Sequence, residues 1–215
     1  MKVTIHQPDL LPYSGFWFKM ATSDTFILSV HDQFQKHGYQ RRVKMRGTWC
    51  SHQLVGQPSL VPINTVEVAE GWQGRITDAI RGRYSGAPYF RTRGADLIDG
   101  ILACRGRMLH EVNIAMLEVV REMLELTTPM VITDPPTQAA TARLIEQVRL
   151  VGGTSYLAGQ GGSAYMGDHP ERTFAEHGLE LLWSDHERST DDSIVSVLMD
   201  EASPMDVVMR RHDHP

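Results

Sequence analysis

The sequence is poor in the features that mark specialised protein classes. Its 215 residues include two cysteines, Cys50 and Cys104, which are too few for a disulfide framework. The formal net charge is -5, so no basic excess favours a nucleic acid or an anionic membrane. No apolar run reaches the roughly 18 residues that a membrane-spanning helix needs. What is present, with 41% hydrophobic residues, is the ordinary composition of a globular chain.

The scarcity of cysteine favours a reducing compartment such as the cytoplasm. The first residues, Met1 to Ile5, lack the apolar region of a secretory signal, so a cytoplasmic location is expected. The expected partner is a small molecule with an anionic group, without a membrane or a nucleic acid. A homo-oligomer is left open.

Alternating strand and helix patterns predict an α/β fold. Lys2–Ile5 and residues 25–30 are predicted strands on either side of a short helix at Gly15–Ala21. The second strand is almost continuously apolar, as in a parallel sheet covered on both faces. Further strands are predicted at residues 48–55, 130–132, 155–158 and 179–183, and helices at residues 72–84, 101–126 and 137–151, with residues 174–177 as the last turn of another. We therefore predict one domain, residues 1–215, with a Rossmann-like, mostly parallel sheet and flanking helices.

Polar motifs follow the first two predicted strands. His6 and Gln7 come after the first, and His31, Asp32 and Gln33 come after the second. Parallel strands end at one edge of a sheet, where ligands bind, so these side chains are expected to share a cleft. His6 is the candidate acid–base or phosphate contact, Asp32 its orienting carboxylate or an amine binder, and His31 a third catalytic candidate. A buried histidine that holds the proline-rich loop is the structural alternative.

A cationic segment at residues 36–46 contrasts with the negative net charge. Arg42 and Lys44, together with Tyr39 and the Gln7 and Gln33 amides, are candidate substrate-binding residues, because guanidinium and ammonium groups bind phosphate or carboxylate. A solvated basic loop is the alternative.

A glycine-rich turn follows the strand at residues 155–158. Gly159, Gly161 and Gly162, with Tyr165 after them, are candidate binding residues, since exposed backbone amides can cradle an anion. The turn lacks the full dinucleotide and P-loop motifs. A tight turn that needs positive φ is the alternative.

No metal-ligand pattern is complete. Cys50 and His52 lie two residues apart without a second pair, so no metal is expected. The cofactor stays open, with a nucleotide or an activated acyl donor as candidates. A nucleophilic pair of histidine with Cys50 or Cys104 is another alternative, but it has no local signature.

Taken together, these motifs resemble the WbqC-like protein family over nearly the whole chain. The segments that carry the resemblance are residues 2–8, 11–13, 15–16, 19–20, 23–26, 33–34, 38–40, 42–44, 47–49, 72–73, 84, 87–90, 111–113, 152–159, 161–162, 165 and 193–198. The chain departs from the family at His31-Asp32, where two acidic residues are usual, and at Arg41-Arg42, where Asn-Arg is usual. The resemblance implies a role in surface-polysaccharide or antibiotic-type biosynthesis. The order strand, histidine loop, helix and strand is also similar to nucleotidyltransferase-like folds.

The motifs and the resemblance lead to one leading hypothesis. The chain is expected to be a transferase or ligase-type enzyme that joins an acyl or aminoacyl group to an amine of a sugar or small metabolite. A non-catalytic ligand-binding or partner protein of a biosynthetic complex is the alternative. Lyase or hydrolase chemistry with His31 as the base is a further one.

Overall fold

The computed structural model describes residues 1–164 and 166–212, in which strands and helices alternate. The strands are β1 (Lys2–His6), β2 (Thr25–Leu28), β3 (Arg42–Met45), β4 (Thr48–Ser51), β5 (Met130–Val131), β6 (Ser155–Ala158) and β7 (Glu180–Trp183). The helices are α1 (Ser14–Ala21), α2 (Trp72–Tyr84), α3 (Ala95–Ala103), α4 (Leu109–Met123), α5 (Ala140–Leu150), α6 (Pro170–Glu176), α7 (Ile194–Asp200) and α8 (Pro204–Val208). In this described part, no helix is both long and apolar enough to cross a bilayer.

Five of the strands form a parallel sheet in the order β5-β2-β1-β6-β7. The chain builds outward from β1 through β2 to β5, then returns to the other side of β1 and adds β6 and β7. The strand order therefore reverses between β1 and β6, as at the switch point of a doubly wound fold. This confirms the predicted α/β, Rossmann-like architecture.

Helices cover both faces of the sheet. Successive side chains of a strand point to opposite faces, so in β2 Phe26 and Leu28 join a core with α1, α2, α3, α4 and α7. Ile27 joins the second core, to which α5 contributes Leu144 and Val148. Burial on both faces explains why the β2 sequence is apolar throughout.

The predicted continuous helix over residues 101–126 is wrong. Helix α3 ends at Ala103 and α4 begins at Leu109, with Gly106 between them at φ 125°. The break is held by an extended neighbour, since the amide of Leu109 donates to the Val66 carbonyl at 2.7 Å. The apolar spacing continues across the break because both helices bury their faces in the same core.

Strands β3 and β4 form an antiparallel hairpin. β3 lies within the cationic segment at residues 36–46, and β4 is the first half of the strand predicted at residues 48–55. Arg46 and Gly47 form the turn of the hairpin with φ 53° and 71°, the positive values that a tight hairpin turn needs. Alternate residues of β3 are buried, so Arg42 and Lys44 share the partly exposed face.

Candidate active site

The carboxyl ends of β1 and β6 form the centre of the candidate site. His6 is the last residue of β1, and Gly159 follows the last residue of β6. These two strands are neighbours at the point where the strand order reverses. A crevice at this edge is where doubly wound sheets bind ligands.

The loop after β1 is buried, and other parts of the chain satisfy its backbone groups. The Asn113 side-chain amide donates to the Pro8 carbonyl at 2.7 Å, and the Ser193 hydroxyl donates to the Leu11 carbonyl at 2.6 Å. Leu11 has φ 41°, a conformation that costs a non-glycine residue energy. The surrounding fold therefore imposes the path of this loop, and with it the place of Asp9.

His6 is held as a neutral imidazole. Its Nδ1 lies 3.0 Å from the Gln7 carbonyl, which can only accept, so Nδ1 carries the proton. Its ring packs edge-on against Phe16 with the centroids 4.9 Å apart. Burial, with a smaller effect of the Lys19 charge, lowers the pKa of His6 to about 3. Nε2 is consequently an unprotonated acceptor at neutral pH.

Asp9 and Lys19 place two further titratable groups beside His6. The Asp9 carboxylate lies 3.6 Å from His6 Nδ1, and Asp9 and Lys19 are only 7% and 6% exposed. Burial raises the pKa of Asp9 to about 7 although the Lys19 charge opposes the shift. Burial lowers the pKa of Lys19 to about 8 against the effect of Asp9. Asp9 and Lys19 therefore have pKa values close to neutral pH, while that of His6 lies well below it.

Gly159 leaves room in front of the Lys19 ammonium. A Cβ atom placed on Gly159 would lie 3.7 Å from Lys19 Nζ. Within residues 1–164 and 166–212, no hydrogen bond satisfies this ammonium. The Lys19 side chain, which belongs to α1, thus reaches the turn after β6 on the other side of the switch point.

Asp32 belongs to a second network beside this cluster. Its carboxylate accepts hydrogen bonds from the Ser29 hydroxyl at 2.7 Å, from the Gln7 amide at 3.0 Å and from Arg143 of α5. The Gln40 amide in turn donates to the Gln7 side-chain oxygen. Asp32 thus holds Gln7, the residue that follows His6, and this arrangement suits a role in positioning His6.

Two further candidates from the sequence, His31 and Gln33, lie in the loop after β2. His31 accepts a hydrogen bond at Nδ1 from the Asn64 amide at 3.2 Å, so this nitrogen is not free to act as a base. Gln33 is exposed and forms an isolated backbone bridge with Pro62. The structure therefore places His31 and Gln33 in a bonded loop after β2.

An aromatic side chain organises the cationic candidates on the hairpin. The Arg42 guanidinium lies 4.1 Å from the Trp49 ring centroid, and the Lys44 ammonium lies 5.6 Å from it. The Tyr39 ring lies 6.1 Å from the same ring. Tyr39 and Trp49 are 43% and 39% exposed, so the four side chains form an open surface.

The glycine turn is a short 3-10 turn, and positive φ is not what it needs. Gly159, Gly161 and Gly162 all lie outside the positive-φ region. A Cβ on Gly162 would lie 2.6 Å from Met166 Cε, the end of a flexible side chain that can move aside, so packing there favours glycine without requiring it. Gly161 faces open space, and Tyr165 lies outside the described residues.

Cys50, Cys104 and His52 were the residues considered for thiol or metal chemistry. Burial raises the pKa of both Cys50 and Cys104, which disfavours a thiolate nucleophile at either position. The His52 Nε2 lies 3.0 Å from the Asn113 side-chain oxygen. Outside residue 165 and residues 213–215, no three His, Cys, Asp or Glu side chains gather as a metal site would require.

Sequence reasoning missed Asp9, Lys19, Gln40 and Arg143. A signal existed for Lys19, a lone cation in the aromatic helix Phe-Trp-Phe-Lys-Met. Asp9 stands directly after the His-Gln-Pro motif that the sequence did single out. Gln40 lies in the family-like segment at residues 38–40, but nothing in that segment indicates its contact with Gln7. Arg143 had no local signal, because a long-range contact alone brings it to Asp32.

A parallel sheet with titratable side chains clustered at its switch point defines a Rossmann-like α/β protein. A family model described as the WbqC-like protein family matches residues 7–209. The chain therefore belongs to the WbqC-like protein family, which confirms the resemblance drawn from its motifs. A search of curated proteins and a search of solved structures returned no match.

Proposed function

We propose that the chain is a biosynthetic group-transfer enzyme that joins an activated acyl or aminoacyl group to an amine of a sugar or small metabolite. The observation that carries the proposal is the neutral His6 imidazole at the switch point, with its proton on Nδ1 and its acceptor on Nε2. The association of WbqC-like proteins with surface-polysaccharide and antibiotic-type gene clusters supports a biosynthetic setting. A single domain acting in the cytoplasm is part of the proposal.

The proposed step uses His6 as the general base. The amine nitrogen attacks the carbonyl carbon of the activated group, and a carbon–nitrogen bond forms. His6 Nε2 takes the proton that the amine loses, and because its pKa of about 3 makes it a weak base, the imidazole releases its Nδ1 proton to the Asp9 carboxylate 3.6 Å away, whose pKa is about 7. The leaving group departs with the electrons of the bond that breaks. Asp32 holds Gln7, the residue next to the base, and Arg42 with Lys44 binds a carboxylate or phosphate of the substrate.

Variants at His6 and Asp32 test the assignment. Activated acyl donors and amino sugars are incubated with the protein, and amide products are detected by mass spectrometry. His6→Ala and Asp32→Asn are each expected to reduce turnover at least about 100-fold, the usual scale for acid–base groups. His177→Ala is the matched control, because His177 is exposed at the C-terminal end of α6 and its side chain bonds only the Thr173 carbonyl, at 2.9 Å, among the described residues.

The outcomes separate the two leading hypotheses. Full turnover in both site variants, with native circular dichroism spectra, would remove His6 and Asp32 from the mechanism. Ligand-induced thermal stabilisation without any product across the panel would favour a non-catalytic binding protein instead.

A further inference from the structure

We propose that Lys19 and Gly159 form a phosphate subsite that binds the phosphoryl group of the activated donor. The inference rests on the proposed function for the donor, and it names that donor's class as a nucleotide or acyl phosphate. It assigns the recognition of the leaving group to Lys19, which was not among the candidate site residues of the sequence.

Lys19 has a mostly buried ammonium group without a hydrogen-bond acceptor in the described part of the chain. Lys19 is 6% exposed, and no hydrogen bond to its ammonium is present among the residues that the structure describes. Lys19 Nζ is not among the fully buried unpartnered atoms, so it keeps some contact with solvent, and an oxyanion that reaches it from that side would supply the missing acceptor. With a pKa of about 8, Lys19 keeps most of its charge at neutral pH.

The glycine at position 159 leaves space beside the Lys19 ammonium. Gly159 presents no side chain toward Lys19 Nζ, and a Cβ there would lie at 3.7 Å, the distance of an ordinary van der Waals contact. A larger side chain at this position would occupy the place of a ligand atom. Gly159 does not have positive φ, so backbone conformation does not account for the glycine.

The position of Lys19 and Gly159 in the fold also favours a ligand site. The ammonium and the glycine come from opposite sides of the switch point, α1 after β1 and the turn after β6. Asp9, the carboxylate beside this pair, has a pKa raised by burial to about 7, which limits its repulsion of an anion below that pH. His6 lies at the same strand end, so a donor phosphate here would place the adjoining carbonyl next to the base.

Binding of inorganic phosphate, adenosine monophosphate and acetate to the full chain is measured by isothermal titration calorimetry. Phosphate and the nucleotide should bind the wild type, and acetate should bind more weakly. Lys19→Met and Gly159→Val should each weaken phosphate binding roughly 10- to 100-fold, the scale of a lost charge-assisted hydrogen bond. Either variant can carry the test if the other fails to fold.

Matched controls change the same residue types elsewhere. Lys2→Met lies at the opposite end of β1, and Gly86→Val faces open space after α2, so both should bind phosphate like the wild type. The sequence contains four lysines, which makes lysine acetylation easy to map. Phosphate should slow the acetylation of Lys19 and leave that of Lys2 unchanged.

Wild-type affinity for phosphate in Lys19→Met and Gly159→Val would overturn the subsite, as would the absence of phosphate and nucleotide binding to the wild type. Acetate binding as tight as that of phosphate would overturn the phosphate assignment. Amide formation without phosphate binding would refute the subsite and leave the proposed function standing. Lys19-dependent phosphate binding together with full turnover in His6→Ala would support the subsite and refute the proposed role of His6.

Discussion

Single residues at the switch point show how burial changes chemistry. Desolvation disfavours the charged form of every group, so it raises the pKa of the Asp9 carboxyl and lowers that of His6 and Lys19. The three values come to about 7, 3 and 8. A partly buried neutral imidazole, a buried carboxyl that titrates near pH 7 and a buried lysine that stays mostly protonated at that pH therefore lie in one cluster.

The buried His52 imidazole makes the stability of the fold depend on pH. Burial lowers the pKa of His52 from 6.5 to about 4, although its hydrogen bond with Asn113 opposes the shift. Below pH 6.5 the unfolded chain takes up a proton that the folded chain excludes, so folded stability decreases as the pH falls toward 4. The full contribution of His52 to this loss is about 3 kcal/mol.

His52→Gln keeps a donor for Asn113 and removes the titration. Urea unfolding at several pH values should show a smaller loss of stability on acidification in His52→Gln than in the wild type. His6 and Asp9 titrate in both proteins, so the difference between the two pH profiles isolates His52. Parallel profiles would contradict the neutral buried imidazole.

At the scale of elements, α5 is joined to the loop after β2. Arg143 of α5 forms an ion pair with Asp32, whose side chain is 9% exposed. Arg143→Met should destabilise the protein by about 1–3 kcal/mol, because the buried carboxylate loses a charged partner. Chemical denaturation measures the change in the free energy of unfolding.

An exposed ion pair provides the control for Arg143. Arg172 pairs with Glu176 at 2.9 Å on α6, but their side chains are 79% and 58% exposed. Arg172→Met should leave the unfolding midpoint close to that of the wild type, since exposed pairs contribute little. Equal effects of the two substitutions would argue against a structural ion pair at Asp32.

At the scale of the whole molecule, a helix near the end of the described chain completes the core around α2. Leu198 and its neighbours in α7 are buried in the same cluster as Tyr84 of α2. The Tyr84 and Ser196 hydroxyls are hydrogen-bonded at 2.7 Å. The core thus joins segments that are more than a hundred residues apart in sequence.

Leu198→Ala should lower the free energy of unfolding by roughly 2–5 kcal/mol, because it leaves a cavity in that core. Leu150→Ala is the matched control, since Leu150 is 58% exposed and its truncation should change stability by no more than about 0.5 kcal/mol. Thermal and urea unfolding measure both variants. A small effect at Leu198 would contradict the placement of α7.

The sequence by itself determined the local elements and one edge of the site. The apolar run of β2, the strand ending in His6 and the helical spacing from Trp72 to Tyr84 are local patterns, and the structure confirms them. The same patterns could not reveal the break at Gly106, because periodicity records which face is buried and not whether the backbone is continuous.

Only the tertiary structure decided which polar groups meet. Asp9 comes to His6 because distant residues hold a strained, buried loop, and Lys19 comes to Gly159 because β6 lies beside β1. Such contacts depend on strand order and on the desolvation that accompanies packing. A sequence pattern carries neither, since both arise when separate segments exclude water from one another.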